Sequence, residues 1–116
     1  GLAALEIRLE NLLPFTKEIR EEWKIRFQIL GLATVNSELA ARDAKRLSFA
    51  RSRFTKDLRI AKARGELRAG LSAEDAAQRT MALNTGTNAL AVVNPAYFTR
   101  RRLRGIMEGL LKELRG

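Results

Sequence analysis

The sequence predicts an all-α domain, on three observations. Apolar residues recur at helical spacing in five segments, strand-like alternation is absent, and both prolines, Pro14 and Pro95, fall where a helical segment ends. A chain of 116 residues fits one domain with one core. Apolar residues make up 46% and charged residues 30%, the balance of a soluble globular domain.

The first segment covers residues 2–13, with Leu5, Leu9 and Leu12 on one face and Pro14 closing it. The second opens at Thr16, an N-cap with Glu18 in the first turn, where negative charge complements the helix dipole, and runs to about Val35. It carries one apolar stripe of Ile19, Trp23, Phe27 and Leu30, and another of Ile25, Ile29 and Leu32, so packing on two sides is expected. The third and longest starts from a Ser37 cap, reaches about Arg64 and stops at Gly65. Leu39, Leu47, Ala50, Phe54, Leu58 and Ala61 share its apolar stripe, and its other faces are rich in Arg and Lys. The fourth opens at Ser72, with Asp75 three positions on in the manner of a capping box, and ends near Val93 before Asn94-Pro95. The fifth runs from Thr99 to the end with a broad apolar stripe.

The chemistry available is restricted. With no Cys and no His, disulfides, thiol or imidazole catalysis and nearly all zinc geometries are excluded, and no Gly-rich phosphate loop is present. Glu21-Glu22 and Glu74-Asp75 are sequence neighbours, which point about 100° apart on a helix and do not face each other as an acid–base pair. An enzyme is therefore not expected, nor a cofactor or metal. The net charge of +9 has two readings: affinity for nucleic acid, or solvated basic helix faces. Arg100-Arg101-Arg102-Leu103-Arg104 divides the same way, between an anion- or partner-contacting cluster and a solvated first turn.

Between Thr80 and Thr99 no residue is charged. Three Asn, four Thr, a Gly and a Pro interrupt the stretch, which excludes a membrane span. Its helical part is apolar all round, so it belongs at the centre of the domain or against another chain. The last helix adds a wide apolar stripe, with Gly105 and Gly109 on its far side. Together these predict a homodimer in which the last two helices and their copies form a four-helix bundle. The expected seam is Leu83, Leu90, Leu103, Ile106, Met107, Leu110 and Leu111.

Several motifs then carry a family resemblance. Gly65-Glu66-Leu67-Arg68, leading into Leu71-Ser72-Ala73-Glu74-Asp75-Ala76-Ala77, resembles the turn before the penultimate helix of TetR-family C-terminal domains. Leu83-Asn84-Thr85-Gly86 stands where many members have L-x-D-G, here with Thr85 in place of the Asp, and Asn94-Pro95-Ala96 matches the usual D-P break. Leu13-Pro14 followed by Glu18 through Trp23 looks like the family's L-P-x-x-x-E-x-R-x-E-W opening. The resemblance covers nearly the whole chain and is nearest to the BetI-like regulators. It implies a cytoplasmic repressor, a domain over residues 1–116 that binds a small-molecule effector and dimerises, and an N-terminal helix-turn-helix, outside this chain, that binds operator DNA. The start at Gly1 rather than Met suggests a fragment. A rival reading is a small basic helical protein that binds nucleic acid directly.

A pocket in a helical bundle is mostly apolar with a few placed polar groups. Trp23, Phe27 and Phe54 are candidate walls, although ordinary core packing explains each of them singly, and Met81 is either an adaptable wall or gap-filling. Phe49, off the main stripe of its helix, lines a pocket or stands exposed. Asn84 and Asn88 stand one turn apart; their amides either hydrogen-bond the effector or pair with backbone or with their copies across the dimer.

Overall fold

A computed structural model describes all residues, 1–116, as five helices with no strand. These are α1 (Leu2–Leu12), α2 (Lys17–Ala33), α3 (Ser37–Ala63), α4 (Ala73–Val93) and α5 (Arg100–Arg115). Helix α3 packs on α1, α2 and α4; α4 packs in turn on α2, α3 and α5, and α1 closes against α5.

Local chemistry sets the boundaries. Leu13 leaves the helix with ψ 143°, as a residue before proline must. The Thr16 Oγ1 accepts from the Ile19 N–H, and the Ser72 Oγ from that of Asp75, so both expected caps are made. The cap of α3 is Asn36 rather than Ser37: its Oδ1 accepts from the Leu39 N–H at 3.0 Å, and Ser37 becomes the first helical residue. At the far end, Gly65 takes φ 72°, a left-handed conformation open to glycine. Glu66 N–H then donates to Ala61 O and Gly65 N–H to Lys62 O, the bonding pattern of a Schellman motif.

The turn after Gly65 ties the two ends of the chain together. The Glu66 carboxylate accepts from the Leu2 N–H at 2.9 Å, and Arg68 N–H donates to Leu114 O at 2.8 Å. Above it sits the core, in which Leu5, Leu58, Leu111 and Leu114 are almost wholly buried. Ala61 of α3 and Ala76 and Ala77 of α4 are equally buried, and α3 and α4 share the most extensive contact in the fold. Side chains that end at Cβ let two backbones approach closely.

One expectation changes. Helix α2 is packed on one side: Trp23 is buried, whereas Ile25 and Leu32 are 58% and 59% exposed, because α3 and α4 both lie on the Trp23 side. The arginines opening α5 are exposed, as the solvated-turn reading has it, and three of them also make contacts within the chain. Arg100 and Arg104 lie 4.1 and 5.5 Å from the centre of the Phe15 ring, and Arg102 lies over Tyr97. Arg104 also pairs with Glu10 of α1 at 3.1 Å. Attraction to ring faces and to a carboxylate offsets the repulsion of cations by the helix N-terminus.

Candidate functional site

Four helices enclose a cavity of about 340 Å³. Helix α1 contributes Arg8 and Leu12; α2 contributes Trp23, Arg26, Phe27 and Leu30; α3 contributes the face from Arg46 to Phe54; and α4 contributes Met81, Asn84 and Thr85. The size is within the range of small-molecule sites, roughly 300–1,000 Å³. The wall is mainly apolar, with guanidinium and amide groups placed around it.

The aromatic wall is held rigidly. The Trp23 indole N–H donates to Leu12 O at 2.7 Å, which links α2 to the end of α1. Phe27, one turn on, stacks on Trp23 with ring centres 5.2 Å apart and planes 18° from parallel. Phe54 is buried and belongs to the core as well as to the wall, whereas Phe49 is both exposed and part of the lining.

The cavity thus brings together Trp23, Phe27, Phe54, Met81 and Asn84. Asn88 is not among its lining. It is fully buried, and its Nδ2 donates to Asn84 O at 2.8 Å and to Asn84 Oδ1 at 3.0 Å, while its own Oδ1 has no partner. Asn88 therefore meets the cavity only through Asn84, whose side chain it orients.

The arginines of the wall are absent from the sequence expectations. Arg46, Phe49, Ala50 and Arg53 stand at i, i+3, i+4 and i+7, as do Trp23, Arg26, Phe27 and Leu30. Each set is one helix face, so the signal was there in the spacing. It was obscured because the basic residues of α3 were assigned together to its solvated side.

A much smaller recess lies where α4 and α5 meet the end of α1, with Leu9, Leu83, Thr87, Leu103, Ile106 and Met107 around it. The residues expected at a dimer seam divide here. Leu103, Met107, Leu110 and Leu111 are buried in the core of their own chain, which uses up most of the α5 stripe. Leu83 and Leu90 are exposed and Ile106 is half-buried. The outward face is therefore carried chiefly by α4, where Leu83, Gly86, Leu90 and Val93 follow at helical spacing and Val93 is 82% exposed. Nothing stands within 4 Å of a side chain added at Gly86, Gly105 or Gly109.

Comparison with known families places this architecture. Residues 2–116 match the family model of the BetI-type transcriptional repressor C-terminal domain. The chain belongs to this family. No curated protein and no solved structure matches it. The BetI-type assignment makes the chain part of a TetR-family transcriptional regulator, a class that binds DNA and small-molecule effectors and forms dimers, and is generally non-enzymatic. No helix is long and apolar enough to cross a membrane.

Proposed function

We propose that this BetI-type domain senses a small effector in the cavity between α1, α2, α3 and α4, and that effector binding releases operator DNA. The observation that carries the reading is the cavity itself, bounded on one side by α1 and α2 and on the other by α3 and α4. A ligand held between these pairs favours one of their relative arrangements, and a repressor is switched by such a population shift. The DNA-reading part would be an N-terminal helix-turn-helix preceding α1, so a change in α1 would reach it directly.

In the same reading two copies associate through α4 and α5. Leu83, Leu90 and Ile106 supply the apolar contact, with Leu103, Met107 and Leu110 beneath them and Leu111 supporting the seam from the core. The open faces of Gly86 and Gly109 allow a second backbone to come close. Direct nucleic-acid binding by this domain is the alternative, and the net charge of +9 is what supports it.

The test is a thermal-shift screen of small molecules against the chain and against Ala50→Trp, which fills the cavity from α3. Effectors of the cavity stabilise the first and not the second. Hits indifferent to Ala50→Trp would place binding elsewhere and remove the sensing role from this site. For association, Leu90→Glu should sediment as a monomer while the parent chain sediments as a dimer; a monomeric parent at high micromolar concentration sinks the seam.

A further inference from the structure

We infer that the ligand of this cavity is an anion, with an apolar body and a carboxylate or similar head. The inference deepens the sensing role proposed above and rests on it. Four arginines line the cavity, Arg8, Arg26, Arg46 and Arg53, and no Asp or Glu does. Two of them are neutralised from behind. Arg8 Nε donates to Asp57 Oδ2 at 2.7 Å, and Arg46 Nε to Asp43 Oδ1 at 2.8 Å, both carboxylates being buried.

Arg26 and Arg53 are different. Neither is paired with a carboxylate, and neither donates a side-chain hydrogen bond. Each is instead held over an aromatic ring, Arg26 at 5.0 Å from the centre of Trp23 and Arg53 at 4.7 Å from that of Phe49. A guanidinium positioned in this way keeps its fork of N–H donors for another acceptor, and that fork matches a carboxylate or phosphate. Two uncompensated positive charges beside an apolar wall concentrate positive potential in the space between them.

The same contacts disfavour a cationic ligand. A cation in an apolar pocket is held by aromatic faces. Here Trp23 carries Phe27 stacked on it and Arg26 over it, and Phe49 carries Arg53. The rings of Trp23 and Phe49 are thus already taken by the protein's own cations. Phe27, Leu30 and Phe54 remain to receive an apolar body, and Asn84 and Thr85 offer hydrogen bonds on the α4 side.

Trp23 is the single tryptophan, so its indole N–H gives one NMR resonance that reports on the cavity wall. The experiment titrates the chain with three probes of one shape, naphthoate, naphthylmethanol and naphthylmethylammonium, following this resonance and the heat of binding. Naphthoate should bind about tenfold or more tighter than the alcohol, and the ammonium weakest. Arg26→Gln combined with Arg53→Gln should abolish that preference while the alcohol binds as before, which also shows that the fold is intact. Arg53→Gln alone, at an exposed position, makes the same test with less risk to folding, and should reduce the preference in part. Equal affinity for the three probes, with the Trp23 resonance shifted by each, overturns the anion assignment and leaves the sensing site standing. A preference for the ammonium overturns it too, as does an anion preference that survives the double substitution. If no probe moves the Trp23 resonance, the anion assignment and the sensing site fall together.

Discussion

Arg8 of α1 and Asp57 of α3, 49 positions apart in the chain, form an ion pair whose two ends differ in burial: the Asp57 carboxylate is almost fully enclosed, while the Arg8 side chain is one-third exposed at the cavity wall. The bond joins the helix nearest the proposed DNA-reading part to the helix that supplies the largest share of the wall. It is also the only ion pair between α1 and α3.

The difference in burial makes the two truncations unequal. Arg8→Ala leaves an enclosed carboxylate without a partner, and should cost roughly 3 kcal/mol, the lower end for breaking a buried pair. Asp57→Asn leaves a guanidinium that still reaches water, and should cost about 1–2 kcal/mol, near the value of a hydrogen bond to a charged group. Urea denaturation of the two variants gives the ranking directly. Equal losses would mean that Asp57 is better hydrated than its burial implies.

Leu58 and Ile25 test how the two middle helices are packed. Leu58 has no exposed surface, so Leu58→Ala removes transfer energy and opens a cavity, a loss of about 2–5 kcal/mol. Ile25→Ala should change stability by no more than about 0.5 kcal/mol, as at other open surface sites. A large effect at Ile25 would show that the outer side of α2 is covered in solution.

Glu74 links stability to acid. Its carboxyl is held below the usual carboxylate range, first by its own backbone N–H at the start of α4 and then by the hydrogen bond from Arg59 at 3.0 Å. For an acid whose folded pKa is lowered, the stabilisation is present above the unfolded value and is lost as pH falls through the folded one. Both partners are solvated, so the contribution is small. A carboxyl NMR titration should find Glu74 ionising below the usual carboxylate range, and Arg59→Ala should move it part of the way back, since the backbone contribution remains.

Phe15 holds the start of α5. Arg100 and Arg104 both lie against its ring, and a double-mutant cycle of Phe15→Leu with Arg100→Gln should give a coupling of about 0.5–1 kcal/mol. Amide exchange in the first turn of α5 should quicken in Phe15→Leu. A zero coupling would mean that the ring contributes nothing to holding these arginines.

Much of this was written locally. The order of five helices, the caps at Thr16 and Ser72 and the stop at Gly65 depend on residues within a turn of each boundary, which is why they were legible. The cap at Asn36 was missed by one residue because Asn and Ser serve equally there, and only the extended backbone of Asn36 distinguishes them. The aromatic wall was legible too, since Trp23 and Phe27 share a face whatever covers it.

The amino-acid sequence by itself determined which residues share a face; the tertiary structure decided what lies against each face. Spacing shows that Leu103, Met107, Leu110 and Leu111 form a stripe, but not that the chain's own α1 and α4 pack against it, which moves the exposed apolar surface onto Leu83, Leu90 and Val93. Spacing likewise makes the outer stripe of α2 the equal of its inner one. It cannot distinguish Arg46, whose carboxylate is three residues away, from Arg53, which has none, or find the partner of Arg8 across 49 residues. Helical periodicity is a property of a few consecutive peptide units, whereas burial and charge compensation belong to pairs that only folding brings together.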